Sequence, residues 1–352
     1  MAAAQPMTGS EAVARALTAH GVVHAFGTPG THGLELCRHL ADYGIAQVTG
    51  RHEQGAGYAA DAYARVSGRP GVAITAAGGA LLNIAAAVGQ AYADSVPLLV
   101  VSPGTPLRPP RQGAGLLHEL RGQTQALRGV AAFSHRVSSV EEIGTAVARA
   151  FTLFAEGRPR PAHIEIPLDL LESEGEAGAV RTAPPRGPAL PRPDEVRWAA
   201  DVLRAASRPA LVLGGGARGG RDELLALAEE LAAPVVTTAN GKGIVDEAHP
   251  LSLGVSLHSA VVRTWLAGCD AVLAVGTELA PSDVWPNAPL RLSGTLIRLD
   301  ADPAQAYGPA PADIPLVGDA RATLGELLAA YRDTAPARTP GRSRSGRRGG
   351  PS

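Results

Sequence analysis

Over residues 8–101, short apolar runs alternate with segments whose apolar residues return every three or four positions, the periods of a buried strand and of an amphipathic helix. Thr8-Gly9-Ser10-Glu11 has the spacing of a capping box, which predicts Thr8 as N-cap with Glu11 reaching back to it. Val13, Ala16 and Leu17 then mark one helical face, and Gly21 closes the helix. Residues 22–26 predict a buried strand running into Gly27-Thr28-Pro29-Gly30. Helices over 33–41, 54–66 and 82–93 follow, interleaved with strands over 45–49, 71–76 and 97–101. Such an alternation predicts an α/β fold with a parallel, doubly wound sheet. The Pro- and Gly-rich stretch 104–112 predicts a loop.

The pattern breaks at residues 172–193, rich in Pro, Gly and Ala, which predict an extended linker after a first domain at 1–171. A second α/β unit, Rossmann-like, is predicted over 194–332, with a helix at 194–206, strands at 209–213 and 234–238, and a last helix at 322–332. Its first turn, Gly214-Gly215-Gly216-Ala217-Arg218-Gly219, satisfies G-x-G-x-x-G between strand and helix. The second strand, however, ends in Ala239-Asn240-Gly241-Lys242-Gly243, with no acid to hold a ribose, which argues against a conventional NAD site. Residues 333–352 carry five arginines among Pro, Ser and Gly and read as a disordered basic tail.

Composition narrows the setting. A length of 352 residues with 45% apolar content suits two or three domains with sizeable cores. A net charge of −1 gives no ground for a nucleic-acid partner or a membrane surface. Cys37 and Cys269 lie in different halves, so neither a disulfide framework nor a zinc site is expected. With no basic-then-apolar N-terminal segment and no apolar run of membrane-spanning length, the expected location is a reducing cytoplasm.

Arg51-His52-Glu53-Gln54-Gly55-Ala56 places Glu53 where a strand hands over to a helix, the position at which open α/β sheets hold ligands. Alone, such an acid is as well explained as a first-turn residue facing the helix dipole. It has company in chain order: Phe26-Gly27-Thr28-Pro29-Gly30, then Asp61-Ala62-Tyr63-Ala64-Arg65, Gly78-Gly79 with Asn83, and Ala91-Tyr92-Ala93-Asp94. Together these stretches resemble the N-terminal, pyrimidine-binding domain of thiamine diphosphate enzymes of the acetolactate synthase and 2-oxo acid decarboxylase superfamily.

The resemblance implies that Glu53 hydrogen-bonds N1′ of the cofactor's aminopyrimidine and shares a proton with it. That favours the imino tautomer whose nitrogen draws a proton from thiazolium C2. A poorly solvated Glu53 would suit the exchange. It further implies cofactor contacts at Gly30, Gly78, Gly79 and Asn83, and a substrate pocket at Thr31 and His32. In this chain Ala80 stands where the family usually has glycine, so either the turn avoids positive φ there or the loop is altered. Gly115 to Arg121, which includes His118, and Arg158 to Pro167 resemble the 5-guanidino-2-oxopentanoate decarboxylase branch. His118 is a pocket candidate or an exposed helix-start residue, whereas His163, flanked by apolar strand residues, reads as structural.

The family's central domain has the same Gly-rich turn and a Gly-Lys-Gly, so Gly214, Gly215, Gly216 and Lys242 become candidates for holding FAD, ADP or no nucleotide. The family's third domain, whose Gly-Asp-Gly and Asn hold Mg²⁺ and the diphosphate, has no counterpart here. A truncated or split reading frame is the expected cause. Three readings follow: part of a 2-oxo acid decarboxylase, part of an acetolactate synthase-like carboligase, or a non-catalytic two-domain protein. A homo-oligomer, or a hetero-oligomer with a diphosphate-binding chain, is expected.

Overall fold

The computed structural model describes residues 6–109, 113, 115–178, 180, 182, 187–284, 290–308 and 310–333, in two compact units divided between Arg186 and Gly187. The first unit runs β1 (Pro6–Thr8), α1 (Gly9–Ala19), β2 (His24–Gly27), α2 (Leu34–Asp42), β3 (Ala46–Thr49), α3 (Glu53–Ser67), β4 (Gly71–Ile74), α4 (Gly79–Ala93) and β5 (Leu98–Gly104). It continues with α5 (Gln123–Arg128), β6 (Phe133–Arg136), α6 (Val140–Ala155), β7 (Ala162–Pro167), α7 (Leu168–Glu172) and β8 (Glu174–Glu176).

Six strands form a parallel sheet in the order β3-β2-β4-β5-β7-β6. Successive strand side chains point to opposite faces. Accordingly Val72, Ile74, Leu99 and Val101 pack with Val13 and Leu17 of α1 and Ile143 of α6, while Ala73, Leu98 and Val100 pack with Ala60 of α3 and Ile84 and Val88 of α4. Helices thus cover both faces, which is why β4 and β5 are apolar and buried nearly throughout. Gly57 lets α3 and α4 approach closely, since a Cβ there would lie 2.7 Å from both Ala87 Cβ and Ile84 Cγ1. Arg65 ties the same helices together: its Nε is 2.5 Å from Asp61 Oδ1 and its Nη2 is 2.8 Å from Asp94 Oδ2.

The structure departs from the sequence expectations in several places. Thr8 Oγ1 accepts from Glu11 N at 3.2 Å, but the Glu11 carboxylate does not reach back; Tyr43 Oη donates to it at 2.9 Å. The strand expected to end at Val101 continues to Gly104, with Ser102, Pro103 and Gly104 level with Glu165, Ile166 and Pro167 of β7. A proline is tolerated there because β4 no longer runs alongside. The expected linker at 172–193 begins later, since Gly175 of β8 pairs antiparallel with Met7 of β1. At its far end Asp319 N donates to Ala189 O, which ties the segment to the second unit. Residues 334–352, nearly all of the expected tail, lie outside the described residues.

The second unit comprises α8 (Pro193–Ala205), β9 (Pro209–Leu213), α9 (Arg221–Leu231), β10 (Val235–Thr237), β11 (Ser252–Val255), α10 (Ala260–Ala267), β12 (Ala271–Val275), α11 (Pro281–Val284), β13 (Thr295–Asp300), β14 (Ile314–Val317) and α12 (Ala320–Asp333). Its parallel sheet has the order β11-β10-β9-β12-β13-β14, the Rossmann order with its reversal between β9 and β12. Among the described residues no helix is long and apolar enough to cross a membrane.

Candidate functional site

In the first sheet the strand order reverses at β2, between β3 and β4. Gly27 is level with Thr49 on one side and Ile74 on the other, so three strands end together and their following loops rise from one edge. That is the crevice where doubly wound sheets hold ligands. The loops meet closely: a Cβ on Gly30 would lie 2.9 Å from Ala76 Cβ. Thr28 Oγ1, Thr75 Oγ1 and His32 Nδ1, all at this edge, are buried without a hydrogen-bond partner among the described residues.

Glu53 stands at the first helical position of α3. His52 caps the helix by accepting from Gln54 N at 3.2 Å on Nδ1, which leaves the Glu53 side chain free of the capping role. Asn83 of α4 donates from Nδ2 to Glu53 Oε2 at 3.0 Å. The other carboxylate oxygen has no partner among the described residues. Glu53 is half-buried and Asn83 exposed, so the carboxylate is more solvated in this chain than the sequence suggested.

Of the expected pocket residues, His32 and His118 come together. Thr31 and His32 lie in a 3₁₀ turn, and the His32 and His118 rings meet edge to face with centroids 5.6 Å apart. Burial first, and His118 second, hold the His32 imidazole below its ordinary pKa, against a smaller opposing effect of Glu172. His118 is exposed with φ +59, in a turn and not at a helix start. Its carbonyl oxygen lies 2.3 Å from where a Cβ on Gly78 would stand. Gly78 takes φ +70 and caps α4, while Gly79 and Ala80 already lie in the helix, so the alanine sits outside the strained position.

Sequence reasoning missed what lies behind this turn. Gln123, Ser102, His163 and Ser134 form a buried hydrogen-bonded chain that ends on Gly78 N. Beside it Glu165 takes Thr124 Oγ1 and Arg136 Nη1, and Arg136 Nη2 reaches Thr105 O at 2.6 Å. Only His163 was legible, as a structural residue among apolar neighbours; it is fully buried.

In the second unit the Gly-rich turn packs on the turn after β12. Gly216 N donates to Gly276 O at 3.1 Å, and a Cβ on Gly214 would lie 2.2 Å from that same oxygen. Close backbone approach therefore accounts for Gly214 and Gly216. A Cβ on Gly215 would lie 3.2 Å from Asn240 Cβ, and Lys242 is exposed, 3.5 Å from Glu247. A cleft in this unit lies elsewhere, at the carboxyl ends of β10 and β11. It measures about 350 Å³ and is lined by Thr237, Thr238, Leu257, His258 and Ser282. Thr237 Oγ1, and Ser256 Oγ in the adjoining turn, are buried without a partner among the described residues. Among the described residues no group of three or more His, Cys, Asp or Glu is placed to hold a metal ion.

A glycine-lined switch point carrying an acid, followed by a Rossmann-ordered unit, defines an α/β cofactor-binding protein. The chain belongs to the thiamine pyrophosphate enzyme family: residues 7–130 match the N-terminal TPP binding domain and residues 196–327 the central domain. It is 46% identical over 338 residues to the Pseudomonas aeruginosa protein named "Probable 2-ketoarginine decarboxylase AruI", covering 94% of this chain and 60% of that one. It is 34% identical to the "Probable acetolactate synthase large subunit" of Methanocaldococcus jannaschii, covering 92% and 56%. A crystal structure from Mycobacterium smegmatis, assigned to the thiamin diphosphate-dependent enzymes, superposes with a TM-score of 0.83 at 23% identity, covering 96% of this chain and 65% of that one. The chain thus spans about 60% of the length of the curated relatives it matches.

Proposed function

We propose that this chain supplies the pyrimidine-binding and central domains of a thiamine diphosphate-dependent decarboxylase of a 2-oxo acid of the 2-ketoarginine type. The observation that carries this is the Glu53 carboxylate, held through one oxygen by Asn83 and open on the other at the switch point of the first sheet. An aminopyrimidine offers a ring nitrogen, and the open oxygen is the group to share a proton with it. Thiamine diphosphate, when bound, supplies the electron sink on which a 2-oxo acid loses carbon dioxide. Glu53 would hold or release the proton at its open oxygen, and Asn83 would keep the carboxylate from rotating away. Gly30 and Gly78, where side chains would collide with Ala76 and His118, let the loops around the site pack closely on one another. Thr31, His32 and His118 would line the substrate side.

The residues fit the pyrimidine end alone. The diphosphate and its Mg²⁺ call for oxygen ligands, and the described residues offer no such set. Those ligands would come from a further domain or a separate chain. It would join this chain in a homo- or hetero-oligomer, and Tyr58 of α3 and Leu82 of α4 are exposed apolar side chains on the two helices that carry Glu53 and Asn83. In the second unit, FAD or ADP, if the chain takes one, would use the cleft beside the Thr237 hydroxyl. The setting proposed is the cytoplasm.

The 46% identity to the decarboxylase against 34% to the acetolactate synthase supports decarboxylation over carboligation. Calorimetric titration with thiamine diphosphate and Mg²⁺ tests the assignment. This chain alone is expected to give little heat. Adding the part of the Pseudomonas relative that this chain does not cover is expected to give saturable binding, and its absence in both cases would refute the proposal.

A further inference from the structure

We infer that Gln123 is a positioning residue for this site, holding the Gly78-Gly79 turn, and through α4 the Asn83 amide on Glu53, against a buried chain of hydrogen bonds in the sheet. The inference rests on Glu53 being the pyrimidine-facing carboxylate.

Gln123 opens α5 and is 6% exposed. Its Oε1 accepts from Gly78 N at 2.8 Å, and its Nε2 donates to Pro103 O at 2.6 Å and to Ser102 Oγ at 3.2 Å. A backbone N–H on one side and a backbone carbonyl on the other fix the amide's orientation, because the flipped form would set donor against donor and acceptor against acceptor. All of its polar atoms are engaged, so rotation has no competing partner to reward it.

The anchor continues inward. Ser102 Oγ lies 2.8 Å from His163 Nε2, and His163 Nδ1 lies 2.6 Å from Ser134 Oγ. Burial lowers the His163 pKa to about 3, so the neutral ring has one donor and one acceptor nitrogen. Ser102, 1% exposed, accepts from Gln123, and its own buried proton is satisfied when it donates to Nε2, the arrangement in which Nδ1–H points at Ser134. Donation then runs one way, from Gly78 N through Gln123 and Ser102 of β5 to His163 of β7 and Ser134 of β6. On its other side Gly78, at φ +70, abuts the His118 carbonyl. The turn is clamped between the two, and α4, which carries Asn83 in its second turn, starts from it.

Hydrogen exchange of the full chain, with NMR of the Asn83 side-chain amide, tests this in the wild type, Gln123→Met and Ser102→Ala. Gln123→Met keeps the side chain's length and removes its bonds. It is expected to speed exchange at Gly78 by about tenfold or more and to shift the Asn83 NH₂ resonances, with the β4 and β5 core amides unchanged. Ser102→Ala, which loosens only the anchor, is expected to change both in the same direction by less. Unchanged Gly78 exchange, or acceleration spread over every core amide of the first unit, would overturn the inference, the latter marking Gln123 as merely structural. The readout needs no cofactor, so failure of thiamine diphosphate binding with the local Gly78 effect intact would count against the Glu53 reading and not against the clamp.

Discussion

Asn83 Nδ2 donates to Glu53 Oε2 at 3.0 Å, so a side chain from α4 holds one oxygen of a carboxylate on α3 and leaves the other open. The two helices bring opposite halves of the site together, and their packing sets its geometry. Replacing Asn83 with alanine frees the carboxylate to rotate without removing it. In the chain combined with a diphosphate-binding partner, Asn83→Ala is expected to lower kcat/KM about tenfold, the weight of one hydrogen bond to a charged group. Unaltered steady-state kinetics would remove Asn83 from the site.

That packing depends on Gly57. Gly57→Val would set a branched side chain against Ala87 and Ile84, where even a Cβ is 2.7 Å from each. Chemical denaturation should show a loss of about 1–3 kcal/mol, with the Glu53 site disturbed as the helices part.

Arg65 is flanked by Asp61 and Asp94, and the Asp61 side chain is only 8% exposed. Arg65→Ala leaves that carboxylate with its charge uncompensated and is expected to cost about 1–3 kcal/mol, less than a fully buried pair because Arg65 itself is partly exposed. Adding Asp61→Asn should recover part of the loss, and a double-variant denaturation series checks it.

His163 makes the first unit sensitive to acid. Its imidazole takes a proton below about 3 when folded, against an ordinary value of 6.5. Between those values the unfolded chain binds the extra proton, so acid favours unfolding. The contribution to stability is complete above pH 6.5 and is lost as pH falls towards 3, at a slope of up to roughly 1.4 kcal/mol per unit. His163→Gln should flatten that slope in a series of unfolding midpoints against pH. An identical slope in the variant would assign the acid sensitivity to other groups.

Much of the fold was legible because its signals are local. The 2- and 3.6-residue periods and the Gly21 stop placed α1 to α4 and β2 to β5 within a few residues. The Arg51 to Ala56 stretch and the Phe26 to Gly30 loop marked the crevice, and the structure brings Glu53 and Asn83 into contact across 30 residues of sequence. What was missed depends on distant partners. β8 exists because Met7 pairs with Gly175, and β5 runs on through Pro103 because β7 lies beside it. Gln123 gave no sign of its importance, since a glutamine in a short helix takes its meaning only from Gly78, 45 positions away. The Gly-rich turn at Gly214 was legible as a turn between strand and helix, and what requires glycine at Gly214 and Gly216, close contact with the Gly276 turn, is again a distant partner.

The most direct test is turnover of 2-ketoarginine by this chain joined to the part of the Pseudomonas relative that it does not cover, wild type against Glu53→Gln. The amide keeps the size of the side chain and the Asn83 contact but cannot exchange a proton with the pyrimidine ring. Turnover is expected to fall by about 10²-fold or more while the melting temperature stays unchanged. Turnover in Glu53→Gln within a factor of two or so of an active wild type would contradict the thiamine assignment of this site.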